Sequence, residues 1–262
     1  KLVWKRRTTK KQLAVWLSWL VGISVVMFAW SMISEKTVWF FVQDAPRQAA
    51  DIGSRMIPPK WSYISKLVKP VWDTINIATL GTVIAMTIAV PVAFCAARNT
   101  TPHFSIRVLA LFVIVSSRSV NSLIWALMLV FILGPGVLAG TIAIGLRSIG
   151  FCAKLIYESI EEIDETQVEA IKATGASNLQ QIIYGIVPQV LPTIAGVGIY
   201  RWDINIREST ILGLVGAGGI GLQLSGSINT LAWTQVSTIL LVILVTVFIS
   251  EWVSAKIRGA II

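Results

Sequence analysis

The sequence predicts an all-α protein that crosses a membrane about six times. Of its 262 residues 55% are apolar and only 13% charged, about half the ~25% charge of an ordinary soluble domain. The mean hydropathy is +0.75. Uncharged runs recur at the length of about 20 residues that a helix needs to span a bilayer. So few charges cannot coat a soluble core of this size. Disordered chains, collagen, disulfide scaffolds and water-soluble enzymes are thereby excluded. Cys95 and Cys152 both lie in apolar stretches, a pattern that suggests neither a disulfide framework nor a metal site.

The first span is expected over residues 12–34, directly after Lys1, Lys5, Arg6, Arg7, Lys10 and Lys11. Its uncharged run of 23 residues, Gln12 to Ser34, exceeds the ~7–15-residue core of a signal peptide, so it reads as retained. Residues 35–73 form an extracytoplasmic segment with two amphipathic stretches. One begins at Pro46, with Ala49, Ile52 and Met56 on one face and Arg47, Asp51 and Arg55 on another, and stops at Pro58–Pro59. The other places Trp61, Ile64, Val68 and Val71 on one face, apart from Lys66 and Lys69. Both read as helices lying on the membrane surface.

The core, residues 74–257, opens with a second span over Thr74–Ala97. A polar loop leads to a third span at 106–132, and Leu-Gly-Pro-Gly (133–136) turns the chain into a fourth at 137–157. The fifth starts near Pro188–Pro192 and the sixth covers about 235–254. The net charge of +9 points to membrane orientation rather than nucleic acid. With the amino end inside, the cytoplasmic side holds twelve Lys/Arg and the loop 35–73 holds six. That bias places both termini in the cytoplasm.

One long polar segment, 158–189, carries six carboxylates and one lysine between Glu158 and Lys172. Asp164 is positioned to cap a helix with Gln167 at the reciprocal site, Gly175 to end it in a left-handed conformation, and Ser177 with Gln180 to box the next helix. A helix–turn–helix projecting into the cytoplasm follows.

Within the spans, Arg201, Asp203, Arg207 and Glu208 sum to zero charge. Asp203 and Arg207 are i,i+4, and Arg201, Asn205 and Glu208 share a face. Arg118 and Arg147 have no carboxylate nearby in sequence, and an intramembrane arginine costs ~2.5–3.5 kcal/mol on insertion scales. Two readings stand open. They line a path for an oxyanion, which guanidinium suits; or they snorkel, bond backbone carbonyls, or pair with Asp203 or Glu208 across helices. Gly216-Ala-Gly-Gly-Ile-Gly221 matches the dinucleotide fingerprint in letters alone, since no βαβ pattern surrounds it. A bent segment packing closely on neighbouring helices suits these glycines better.

Glu169-Ala170-Ile171, then Gly175-Ala176, then Val187-Pro188 resembles the signature of ABC importer permeases: Glu-Ala-Ala, three residues, Gly, nine residues, Ile-x-Leu-Pro. Ile171, Gly185 and Val187 depart from it. Ala78-Thr-Leu-Gly-Thr82, Ala96-Ala-Arg-Asn99, Arg118-Ser-Val-Asn-Ser-Leu-Ile-Trp-Ala-Leu127 and Arg201-Trp-Asp-Ile-Asn-Ile-Arg-Glu-Ser209 are similar to the phosphonate/phosphite group of that family. Relatives often carry proline where Asn121 stands.

The resemblance implies a type I ABC importer permease fold in a bacterial inner membrane. It implies a homodimer of permeases in lipid, two ATP-binding subunits, an extracytoplasmic binding protein, and ATP and Mg held by the ATPase with no cofactor on this chain. Arg118, Arg147, Arg201 and Asn205 are the expected substrate-pathway residues. Glu169, Ala170, Gly175 and Ala176 are expected to couple to the ATPase. No Walker motif occurs in the chain, so the energy is expected from another subunit. The rivals are an importer for another small solute such as methionine or an organic sulfonate, a membrane-embedded phosphate-ester enzyme, for which His103 offers too little, and a secondary transporter, for which no inverted repeat is visible.

Overall fold

A computed structural model describes residues 9–261; the four basic residues Lys1, Lys5, Arg6 and Arg7 lie outside them. Eleven α-helices and no strand occur among the described residues. Five helices are long and apolar enough to cross a membrane, and a bent pair brings the number to six. The chain divides into two units, Lys1–Ser54 and Arg55–Ile262.

In the first unit, helix α1 (Thr9–Lys36) has no buried residue along its apolar window. Trp39 at the start of α2 (Trp39–Met56) donates from its indole nitrogen to Ser34 Oγ at 3.2 Å and lies 6.2 Å from the Trp30 ring. The expected amphipathic helix begins earlier than Pro46, which falls inside α2. Phe40, Phe41 and Val42 extend the helix upstream, and proline is tolerated where neighbouring carbonyls find other partners. The helix ends at Met56, before Pro58–Pro59.

In the second unit, residues 61–71 form no separate surface helix. A short turn at Trp61–Tyr63 runs directly into α3 (Ile64–Ala96). Lys66 and Lys69 sit on its exposed side while Leu67 and Pro70 are buried, so the two faces belong to one long helix with a wet end. α4 (Phe104–Ser119) and α5 (Ser122–Leu133) take the place of the expected third span and meet at 86°. The break needs no proline. Asn121 caps α5, its side-chain oxygen accepting from Leu123 N at 3.1 Å.

Then come α6 (Val137–Glu161), α7 (Glu165–Ala173), α8 (Asn178–Gln181), a π-helical turn (Ile182–Ile186), α9 (Val187–Leu212), α10 (Ile220–Asn229) and α11 (Trp233–Ile261). α3 and α6 form the most extensive pair. Both bury small residues, Ala78, Ala85, Ala89 and Ala93 on α3 and Ala139, Gly140, Ala143 and Ala153 on α6, and Gly81 of α3 meets Thr141, Ile144 and Gly145 of α6. In lipid, close van der Waals packing of small residues replaces the hydrophobic drive between helices.

Apolar clusters follow α3 along its length. One gathers Leu67, Ile220 and Ile239; the next Ile77, Ile144 and Leu212; the last Ala89, Ala93, Cys152 and Ile156. Thr82, Ser148, Arg201 and Asn205 are buried polar residues lying between the second and third clusters along their own helices. The glycine-rich segment reverses the chain between α9 and α10, and a Cβ on Gly221 would collide with the carbonyl of Thr210. Close approach, rather than phosphate binding, explains glycine there.

Candidate functional site

The buried polar layer is built on α9. Arg201, Asn205 and Glu208 fall on one face of this helix, as i, i+4, i+7 spacing requires. Arg201 Nε donates to Ser148 Oγ at 2.9 Å, and its Nη2 to Glu208 Oε2 at 3.3 Å. Its guanidinium also lies 5.1 Å from the centre of the Phe151 ring. From α6, Arg147 Nη1 donates to the other oxygen of Glu208, Oε1, and reaches Ser122 Oγ at 3.4 Å. Glu208 therefore bridges two arginines, one on each oxygen. The amino end of α5, with the positive end of its dipole, stands beside this pair.

Behind Arg201 the hydrogen bonds run on without a gap. Ser148 Oγ donates to Asn205 Oδ1 (3.2 Å), Asn205 Nδ2 to Thr82 Oγ1 (2.8 Å), and Thr82 Oγ1 to the Ala78 carbonyl (2.6 Å). This chain ties α3, α6 and α9 together and fixes the Asn205 amide. Asn205 is wholly buried, so it faces Ser148 and Thr82 rather than an opening. Asp203 pairs with Arg207 one turn on and accepts from Ser250 Oγ of α11 at 2.8 Å. The charges of α9 thus largely pair among themselves, as their spacing predicts.

Arg118 stands apart. Its side chain is exposed, and no hydrogen bond or ion pair engages its guanidinium among the described residues. Its stem crosses α6 at Gly150. The neighbouring Ser117 Oγ accepts from Gly150 N at 2.9 Å and donates to the Leu146 carbonyl. The turn bearing Arg118 is therefore level with Arg147. Of the two open readings, Arg147 takes the carboxylate pairing and Arg118 takes none.

The polar hairpin is built by local caps. Asp164 Oδ1 accepts from Thr166 N at 3.0 Å, Gly175 adopts φ +81°, and Ser177 and Gln180 form the reciprocal box. The Thr166 hydroxyl first, and its amide second, hold the Asp164 carboxyl below its ordinary pKa. Gln167 does not fill the reciprocal site. Gln189 does: its Oε1 accepts from Asp164 N at 3.0 Å, while its Nε2 donates to Gly185 O at 2.7 Å. A side chain from α9 thus takes the Asp164 amide, while Gln167 of α7 bonds the Asp164 carboxyl instead.

Two departures from the family signature prove to be paired. A Cβ on Gly185 would lie 3.3 Å from Ile171 Cδ1 and 3.4 Å from Val168. The isoleucine in place of alanine fills the room left by the glycine in place of isoleucine. Volume is exchanged across the α7–π-turn contact, the kind of swap packed interiors accept. Glu169, Ala170 and Ala176 lie in or beside α7, and the hairpin exposes Leu179, Ile183 and Tyr184. Ser148, Gln189 and that apolar trio were not singled out by sequence; Glu208 was, by its i+7 spacing from Arg201 and as one of two carboxylates open to Arg147, and the structure selects it over Asp203.

Apolar spans around a paired charge layer, with a capped hairpin projecting between two of them, define a membrane transport subunit. The chain belongs to the family of binding-protein-dependent transport system inner membrane components, which matches residues 89–258. It is 41% identical over 209 residues to the phosphite transport system permease protein PtxC of Stutzerimonas stutzeri, covering 80% of this chain and 76% of that protein. The phosphate-import permease protein PhnE of Mycolicibacterium smegmatis is 39% identical over 204 residues, 78% of this chain but 38% of that longer protein. The fold is that of type I ABC importer permeases. The permease of the MetNI methionine ABC transporter, in an inward-facing conformation, superposes with a TM-score of 0.66 at 19% identity, over 78% of this chain and 99% of that one. An amino acid ABC transporter gives a TM-score of 0.65 at 18% identity, over 76% and 95%.

Proposed function

We propose that this chain is the permease subunit of an ATP-driven importer for phosphite, a phosphonate or a related small phosphorus oxyanion. Two copies form one pathway in a bacterial inner membrane, with both termini in the cytoplasm. A binding protein delivers the anion from outside, and two ATPase subunits hold ATP and Mg; the chain itself catalyses no reaction. The hairpin 164–189 docks on the ATPase through Glu169, Ala170, Gly175 and Ala176, and the exposed Leu179, Ile183 and Tyr184 enlarge the docking face. Their apolar surface has no use in an otherwise polar, water-facing segment.

The observation that carries the substrate class is the convergence of Arg147 and Arg201 at a single point inside the spans. Guanidinium forks match oxygens arranged as in a carboxylate or phosphonate. Arg118, unpaired and level with Arg147, extends the path, and Asn205 serves it indirectly by holding Ser148 and so Arg201.

Reconstitution with the ATPase and binding protein in proteoliposomes tests this reading. ATP-dependent uptake of phosphite or methylphosphonate is expected, and Arg147→Gln should lower it at least tenfold while the complex still co-purifies. Uptake of methionine in place of either anion would refute the assignment.

A further inference from the structure

From the bridging geometry we infer that Glu208 is an internal stand-in for the transported anion: its carboxylate occupies the place between Arg147 and Arg201 that a tetrahedral oxyanion takes during passage. The inference rests on the oxyanion reading above and names the device by which the site loads and empties.

Glu208 gives one oxygen to each arginine. Two oxygens along one edge of a tetrahedral oxyanion present the same pair of acceptors to the same two donors. The three partners are unequally accessible: the side chains of Arg147, Glu208 and Arg201 are 34%, 16% and 3% exposed. An incoming anion therefore meets Arg147 first and Arg201 last. Arg201 is held from behind by Ser148 and the buried chain through Asn205 and Thr82, so it stays fixed while the carboxylate moves.

Electrostatics gives the carboxylate its purpose. Without it, two cations would face each other in a low-dielectric layer, a costly arrangement that would also hold a dianion too long for release. With it, the cluster carries one net positive charge. Binding becomes an exchange of one anion for another, and it leaves the displaced carboxylate without a partner. Glu208 returns to the arginines as the substrate leaves, which drives release.

The test uses the full complex with its ATPase in detergent, without the binding protein, and three radiolabelled probes: phosphite, methylphosphonate and sulfate. Glu208→Gln should bind at least one probe tenfold or more tighter than wild type, and in proteoliposomes should take it up at least tenfold more slowly. Glu208→Asp, too short to bridge both arginines, should shift binding in the same direction by a smaller factor. If either variant assembles and no probe binds more tightly, the inference is overturned. If both fail to assemble, Glu208 is a strut between helices and the inference is likewise overturned. If Glu208→Gln retains sulfate more tightly while wild type imports neither phosphorus anion, the stand-in role holds and the substrate assignment alone fails.

Discussion

The charge layer within the spans and the polar hairpin outside them solve the same problem by opposite means. Glu208 of α9 pairs with Arg147 of α6 across 61 residues of sequence and with Arg201 on its own helix. In the hairpin, Asp164, Ser177 and Gln180 satisfy backbone groups two or three residues away. Water is a competent partner for the second set and is scarce for the first. Charges in lipid must therefore find charged or polar partners within the fold, near or far in sequence, whereas charges in water can stay with the backbone beside them.

The sharpest way to break that contrast is Arg201→Leu. It strands Glu208 beside Arg147 alone and cuts the chain through Ser148, and a buried pair broken on one side costs about 3–5 kcal/mol. Loss of monodisperse protein on size exclusion after mild heating is the expected result. A change of the same kind in the hairpin should cost less. Gly185→Ile drives a side chain into Ile171 and Val168, an overpacking worth about 1–3 kcal/mol; adding Ile171→Ala should recover most of it. Thermal midpoints of the two single variants and the double variant measure that coupling, and strict additivity would dissolve the compensation argued above. Gly175→Val forces a branched residue to φ +81° at about 1–2 kcal/mol. The spans should stay folded while substrate-stimulated ATP hydrolysis is lost, and wild-type stimulation would remove the hairpin from the coupling route.

The smallest effect is a pH dependence. Because the Asp164 carboxyl is lowered in the folded hairpin, its cap contributes fully above the unfolded aspartate value of about 3.9. It is lost as pH falls through the lower folded value. Hydrogen exchange of the Thr166 amide should show constant protection from pH 8 to 5 after correction for intrinsic rates, and a decline only below about 4. A decline near neutrality would mean another group controls the cap.

What could be read from sequence follows the same division. The caps at Asp164, Gly175 and Ser177 were legible because each is a pattern within a few residues. So was the common face of Arg201 and Asn205, which helical spacing alone dictates. The pairing of Arg147 with Glu208 was not, since nothing local selects between Asp203, Glu208 and a bound anion. The reciprocal cap was misassigned to Gln167 for a related reason: Gln189 is 25 residues away and arrives only through the turn at Ile182–Ile186. The stretch 61–71 misled through its lysines, whose long stems let a spanning helix keep its charges wet.

The joint between α4 and α5 has a property that a proline at position 121 would remove. A pyrrolidine ring breaks the helix permanently, because the missing N–H and the steric clash persist in every conformation. Asn121 breaks it by competition: its amide oxygen takes the Leu123 N–H and the Ser122 hydroxyl that a straight helix would engage otherwise. Ser122 Oγ also accepts from Arg147 Nη1 at 3.4 Å. The Ser122 hydroxyl thus joins the elbow to the guanidinium, donating to Asn121 and accepting from Arg147, a link that a proline ring at position 121 could not make.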